Sequence, residues 1–374
     1  YPDASSGKSD APCSRDPRTM KSKRPVPEHQ VLLQGFLEGN VLGLARAISL
    51  VENERDGFQD LLHTVMTSGP QTKRVGFTGP PGAGKSSIVA AVATAYRRLE
   101  EHLGIVAVDP TSPYSGGALL GDRIRMNDIA TDPGIFIRSM ATRGSLGGLA
   151  TATKEVVDLM DSFGFDRVLV ETVGVGQTEL EVTAASDTVV VVLVPESGDA
   201  IQAMKAGLME VADIFVVNKA DRPGAPRLVK ELRQALHLRS GRALRDIPAH
   251  HGVDLGKAMK VQKMSDAPEQ ERKEWVVPVL TTNALSGEGV DKLLEIVEEH
   301  RRWLIESGEL GVLRRARSGI RIRDVVDREM RRVAWSSERV NGLLTQGVEE
   351  IASGRGTPYS AADNILRALL QDRA

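Results

Sequence analysis

Apolar positions follow three regimes along the chain. From about Val31 to Ser68 they recur at helical spacing, as Leu42, Leu44, Ala45 and Ile48 and then Leu61, Leu62 and Val65, which predicts two or three helices. From about Arg74 to Arg302 short β-branched runs take turns with helical stretches. Strands are predicted at Arg74–Thr78, Ile105–Val108, Arg167–Val170, Thr188–Val194, Ile214–Val217 and Val276–Leu280. Several of these runs are apolar without alternation, as expected of strands covered on both faces. Strands alternating with helices imply parallel pairing through crossover helices, hence an α/β fold with a doubly wound, mostly parallel sheet. From Gly308 to Ala374 the period is helical again (Ile322, Val325, Val326, Met330, Val333, then Ile351, Ile365, Leu366, Leu369). That predicts a C-terminal helical arm for packing or dimerisation.

The division drawn from these regimes is 1–24 as a tail expected to be disordered, 25–70 as an N-terminal helical segment, 71–305 as the nucleotide-binding domain and 306–374 as the arm. The tail is rich in Ser, Asp, Pro and Lys, and Met20 is a candidate natural start that the mass of the native protein would settle. A polar stretch from Arg239 to Glu274 is expected to be a helical insertion or a long loop.

Composition changes this picture little. Forty-eight Lys and Arg stand against fifty Asp and Glu, which gives no electrostatic case for nucleic acid or a membrane surface as partner. The basic clusters Arg314, Arg315 and Arg317, and Arg331 with Arg332, are expected to be solvated helix faces. Cys13 is the single cysteine, so neither an internal disulfide nor a multi-thiolate metal site can form, and a reducing cytoplasmic setting fits. No apolar run approaches the roughly 20 residues of a membrane helix, and the first residues carry no signal-peptide core.

The chemistry begins at Gly79-Pro-Pro-Gly82-Ala83-Gly84-Lys85-Ser86-Ser87, which matches G-x-x-x-x-G-K-[ST] between a predicted strand and a predicted helix over Ile88–Leu99. Gly79 and Gly84 let the loop bend so that backbone N–H groups point at a β-phosphate. The helix adds its positive end. Lys85 can reach the β- and γ-phosphates, and the Ser86 hydroxyl can coordinate Mg²⁺. A second phosphate-side element, Glu171-Thr-Val-Gly174, follows the strand at Arg167–Val170. There the carboxylate would meet Mg²⁺ or its water, and the glycine would approach the γ-phosphate. Glutamate stands where most P-loop GTPases use aspartate, and its longer side chain is expected to act through water. Asp109 and Asp122 are further candidate Mg²⁺ carboxylates, although such a residue taken alone is more often a helix cap or turn residue.

Asn218-Lys219-Ala-Asp221 follows the strand at Ile214–Val217 and matches N-K-x-D. An Asp221 carboxylate can accept from both N1–H and the 2-amino group of guanine, whereas adenine would leave it facing an acceptor. The pattern therefore selects GTP over ATP. Lys219 would pack its stem on the base, and Asn218 would tie this loop to the phosphate loop. After the last strand come Asn283-Ala284-Leu285, where a small-residue loop would contact the guanine carbonyl, through the backbone of Ala284 more than through any side chain.

Longer segments carry a resemblance. ETVGVGQTE, AVDPTSPYSGGALLGDRIRM, RGSLGGLA and PESGDAIQAMKAGLMEVADIFVVNKAD closely resemble the MeaB/ArgK family, over roughly Val31 to Leu369. These are GTPase chaperones of adenosylcobalamin-dependent acyl-CoA mutases. The resemblance implies a P-loop domain flanked by N-terminal helices and a dimerisation arm, a homodimer, GTP/GDP and Mg²⁺ as ligands, and a mutase as partner, most commonly the methylmalonyl-CoA enzyme. It implies Mg²⁺-side carboxylates at Asp109, Asp122 and Glu171, a mobile switch over about Val194–Lys205 that includes Asp199 and Lys205, and Gln177 near the γ-phosphate, where it could orient water. Pro80 stands where some relatives insert a lysine across a dimer, so hydrolysis is expected to be slow alone and faster with a partner.

Three other readings compete. A metal-insertion GTPase of the hydrogenase or urease accessory type would need a metal-ligand cluster, and only His250-His251, in the polar stretch, offers an adjacent pair. A transport-linked kinase would use ATP, against which Asn218–Asp221 argues. A structural dimer with a vestigial site would not be expected to keep the phosphate and base motifs intact.

Overall fold

A computed structural model describes residues 28–66, 69, 71–109, 126, 128–141, 151–172, 182, 184–195, 207–240 and 274–371. Three helices come first: α1 (Glu28–Leu37), α2 (Val41–Glu52) and α3 (Phe58–Val65). Asn40 caps α2 by accepting from the Leu42 N–H at 2.9 Å. Their apolar faces, including Leu44, Ile48 and Leu61, are buried in the main core.

The body alternates strands and helices in chain order: β1 (Lys73–Thr78), α4 (Lys85–Arg98), β2 (Leu103–Asp109), β3 (Ile135–Ala141), α5 (Thr151–Phe163), β4 (Arg167–Glu171), β5 (Thr188–Leu193), α6 (Leu208–Val211), β6 (Ile214–Val217), α7 (Ala225–Ser240), β7 (Val279–Thr281) and α8 (Val290–Glu306). The seven strands form one sheet in the order β3-β2-β4-β1-β5-β6-β7, and every neighbouring pair is parallel. β5 shows why its sequence is continuously apolar. Val189, Val191 and Leu193 enter the core under α2, α5 and α7, while Val190 and Val192 enter a second core under α4 and α8.

Local pattern and structure part company at three places. β3 was not among the predicted strands, because Arg138 and Ser139 interrupt its apolar run. In the fold it is the edge strand, paired with β2 alone, and Arg138 is neutralised by Glu52 on α2. The strand predicted to begin at Val276 begins instead at Val279, with Val276 83% exposed. Pro278 lacks an N–H for the ladder, although its carbonyl accepts from Phe215. The phosphate-loop helix begins at Lys85 rather than Ile88.

Three C-terminal helices follow: α9 (Glu309–Ser336), α10 (Glu338–Ala352) and α11 (Pro358–Gln371). Here Arg315, Arg331 and Arg332 are exposed, but the expectation of a solvated face fails for Arg314 and Arg317. Both pair with the buried Asp187 at the start of β5, each at 2.8 Å. Burial works to raise the Asp187 carboxyl, but the Arg314 hydrogen bond and the charges of Arg317 and Arg314 outweigh it and hold the carboxyl below its ordinary range. A helix-local pattern cannot reveal a partner more than a hundred residues away. The polar stretch at 241–273 and the tail with Cys13 lie outside the described residues. Among the described residues no helix is long and apolar enough to cross a membrane.

Candidate functional site

The sequence motifs converge on one edge of the sheet, where the carboxyl ends of β1, β4, β6 and β7 meet. This is where open parallel sheets place their ligands. Gly79 leaves β1, and its backbone takes φ +134°. A Cβ there would lie 2.1 Å from the carbonyl oxygen of Val192 on β5, so only glycine lets the loop lie this close to the neighbouring strand. Gly82 (φ +75°) and Gly84 (φ +85°) complete the turn, and α4 starts at Lys85 with its amino end facing the loop. Lys85 is buried beneath the loop, its Nζ donating to the carbonyls of Gly79 at 2.9 Å and Pro80 at 3.0 Å.

Glu171 is the last residue of β4, and its register partner on β1 is Phe77. It is 3% exposed, and its Oε1 accepts a 2.6 Å hydrogen bond from the Ser86 hydroxyl. Two hard oxygen donors from distant segments are thereby brought together. Mg²⁺ prefers such a pair, since it takes one or two protein oxygens and completes its shell with phosphate and water. The Glu171 register partner on the other side is Ala107 of β2, so the backbone of Asp109, two residues on, ends at the same edge. Beneath these residues Thr172 donates its hydroxyl hydrogen bond to Thr78 at 3.0 Å and its N–H to the Phe77 carbonyl.

The base-side residues join to the phosphate loop. Asn218 is 2% exposed; its Nδ2 donates to the Ala83 carbonyl at 2.9 Å, and Lys219 Nζ donates to the Gly82 carbonyl at 3.0 Å. Asn218 Oδ1 accepts from the Ala284 N–H at 3.2 Å and from the Thr282 hydroxyl at 3.3 Å. Lys219 adopts φ +55°, a left-handed turn that costs a non-glycine residue about 1–2 kcal/mol. Asp221 is exposed at the mouth. Asn283 uses its own side chain to shape the last loop, accepting from the N–H groups of Leu285 and Ser286, while the Leu285 side chain points into solvent. Ser87 is half-buried on the first turn of α4.

Thr282 was missed from sequence. Its signal was a hydroxyl directly after the last strand, ambiguous until the fold places it against Asn218. Asp122, Gly174, Gln177, Asp199 and Lys205 lie outside the described residues, as does His250-His251, and nothing is described of the Asp109 side chain. Among the described residues no group of three or more His, Cys, Asp or Glu is positioned to hold a metal ion.

The two glycines give a direct test of the loop geometry. Gly79→Ala is expected to destabilise the chain by about 3 kcal/mol and to weaken nucleotide binding, because backbone must move. Gly82→Ala meets no atom within 4 Å and carries only the left-handed strain, about 1 kcal/mol. Denaturant melts and nucleotide titrations of both variants check this, and equal effects would contradict the packing argument.

Comparison with known proteins places the site in a lineage. The family model described as Methylmalonyl Co-A mutase-associated GTPase MeaB matches residues 44–339. A Pyrococcus abyssi protein named as a GTPase is 41% identical over 340 residues, covering 91% of this chain and 96% of its own. The mouse methylmalonic aciduria type A homolog, mitochondrial, is 31% identical over 354 residues, covering 90% of this chain and 78% of its own. The crystal structure of an LAO/AO transport system kinase superposes with a TM-score of 0.59 at 25% identity, covering 91% of this chain and 97% of its own. With a P-loop at the carboxyl edge of a parallel sheet and a family match over most of its length, the chain belongs to the MeaB family of mutase-associated GTPases.

Proposed function

We propose that the protein is a GTP-hydrolysing chaperone that assembles, gates cofactor loading of, or protects an adenosylcobalamin-dependent acyl-CoA mutase, with the methylmalonyl-CoA enzyme as its first candidate partner. The observation that carries this is the family match, whose description names that mutase, together with the methylmalonic aciduria name of the mouse relative. The protein works as a homodimer in this reading, with the C-terminal helices as its dimerisation arm.

In the proposed mechanism the glycine-bracketed loop wraps the phosphates. Lys85 leaves the Gly79 and Pro80 carbonyls for the β- and γ-phosphate oxygens, and the N-terminal end of α4 supports the same charge. Ser86 and Glu171 would hold Mg²⁺, with Asp109 and Asp122 as further carboxylates; the 2.6 Å hydrogen bond between Ser86 and Glu171 supports this. The ion would neutralise charge between the β- and γ-phosphates. Gln177 would orient the attacking water. Asp221 reads guanine, while Asn218 and Thr282 hold the base loop against the phosphate loop. Gly174 and the switch residues Asp199 and Lys205 would sense the γ-phosphate and relay its loss to the mutase, as order–disorder switches do.

The test is GTP hydrolysis by the purified protein, alone and with each adenosylcobalamin mutase of the same organism, with ATP as control. Slow turnover alone and stimulation by one mutase, by about tenfold or more if the partner supplies missing charge, is the expected result. Equal turnover with every mutase would sink the chaperone reading and leave the GTPase intact. Preferential use of ATP would instead favour a kinase of the kind named for the superposed structure.

A further inference from the structure

α9 is 28 residues long and has no buried side chain. A helix that docks on a globular body ordinarily buries an apolar stripe; here Leu313, Ile320 and Val325 are only half-buried, so apolar contact alone does not explain the seat. Charge provides one. Arg314 and Arg317 both reach Asp187 at 2.8 Å, Arg321 reaches Asp158 at 3.2 Å, and Arg328 reaches Glu155 at 3.1 Å. These arginines follow one another at steps of three, four and seven residues, so they form a single stripe along the helix. Asp187 and Glu155 are 4% and 1% exposed; they belong to the body, at the start of β5 and on α5.

The helix is joined to the body in sequence at a point built to bend. α8 ends at Glu306, α9 begins at Glu309, and Gly308 between them takes φ +77° with no atom within 4 Å of where a Cβ would stand. A glycine in open space beside a helix end can absorb a change of backbone angle without a clash. The opposite face of α9 is open, with Ile322, Val326 and Met330 exposed at 66%, 48% and 64%; beside the stripe, Lys154 pairs with Asp324 at 2.6 Å and Gln59 donates to Glu329 at 2.6 Å.

We propose that α9 is an electrostatic latch. It holds the C-terminal helices in place through the arginine stripe on Asp187, Asp158 and Glu155, which Arg301 and Arg74 of the body also face, and it is free to pivot at Gly308 when that stripe is broken. The physical reason is asymmetry. An apolar seat loses contact in proportion to area, but removing a buried carboxylate charge leaves guanidinium groups desolvated without compensation. Their long stems let them return to water if the helix swings out.

The test reads the position of the arm directly in the full-length chain. Spin labels are placed at two exposed helix positions, Thr94→Cys on α4 and Gln346→Cys on α10, in a Cys13→Ser background. Labelled chains are diluted into unlabelled ones so that only distances within a chain are read. The parent is expected to give one narrow distance distribution. Asp187→Asn with Glu155→Gln is expected to add a longer component while thermal melting of the body remains cooperative and GTP affinity unchanged. Should that variant fail to fold, Arg317→Gln with Arg328→Gln opens the same latch from the α9 side. Arg323→Gln, an exposed charge on the same helix, is expected to leave the distribution as in the parent. An unchanged distribution in a folded latch variant, or an equal shift with Arg323→Gln, would overturn the proposal.

Discussion

Replacement of Lys85 by alanine is expected to lower kcat/KM for GTP by about 10³-fold, the scale on which removing one preorganised charge from a phosphoryl-transfer or oxyanion site acts. Lys85 Nζ is positioned before any ligand arrives: it is buried and held at 2.9 and 3.0 Å from the Gly79 and Pro80 carbonyls. Those carbonyls keep the cation in the loop, where the proposed mechanism uses it. Arginine should not rescue the loss, because its planar fork does not fit a place built for a point charge. Phosphate release under multiple turnover measures the effect, and a denaturant melt checks that the fold survives. A variant that retains activity within a factor of ten would remove Lys85 from the proposed mechanism.

The second large effect concerns the base. Asp221→Asn is expected to weaken GTP relative to the parent by about 10²–10⁴-fold, from two charge-assisted hydrogen bonds worth roughly 1.5–3 kcal/mol each. The same change should favour xanthosine triphosphate, since an amide can accept from xanthine N1–H while donating to its 2-carbonyl. Competition titrations with GTP, ATP and xanthosine triphosphate read both arms. The neighbours of Asp221 should be undisturbed, because the loop is held through Asn218 and Lys219 on the phosphate loop and through Ala284 and Thr282 behind it. Unaltered GTP preference in Asp221→Asn would place guanine recognition elsewhere.

Much of this site was legible because it is written locally. Gly79 to Ser86, Glu171 and Asn218 to Asp221 each sit directly after an apolar, β-branched run, and a run covered on both faces announces itself without long-range information. Where a residue depends on a distant partner, the local pattern misled. Arg138 hid the edge strand β3, since the Glu52 that neutralises it lies on α2. Arg314 and Arg317 resembled a solvated face because Asp187, which they cover, is remote in sequence. Thr282 was silent until Asn218 stood beside it.

The sequence by itself therefore determined the parallel sheet, the order of its motifs and the nucleotide chemistry they can perform, since these rest on periodicity and on loops a few residues long. Only the tertiary structure decided which donors meet. The 2.6 Å contact of Ser86 with Glu171, the clasp between Asn218 and Ala83, and the arginine seat of α9 each join segments far apart in the chain. Hydrogen bonds and ion pairs act over a few ångströms of space whatever the separation in sequence, so their partners are known only when the chain has folded.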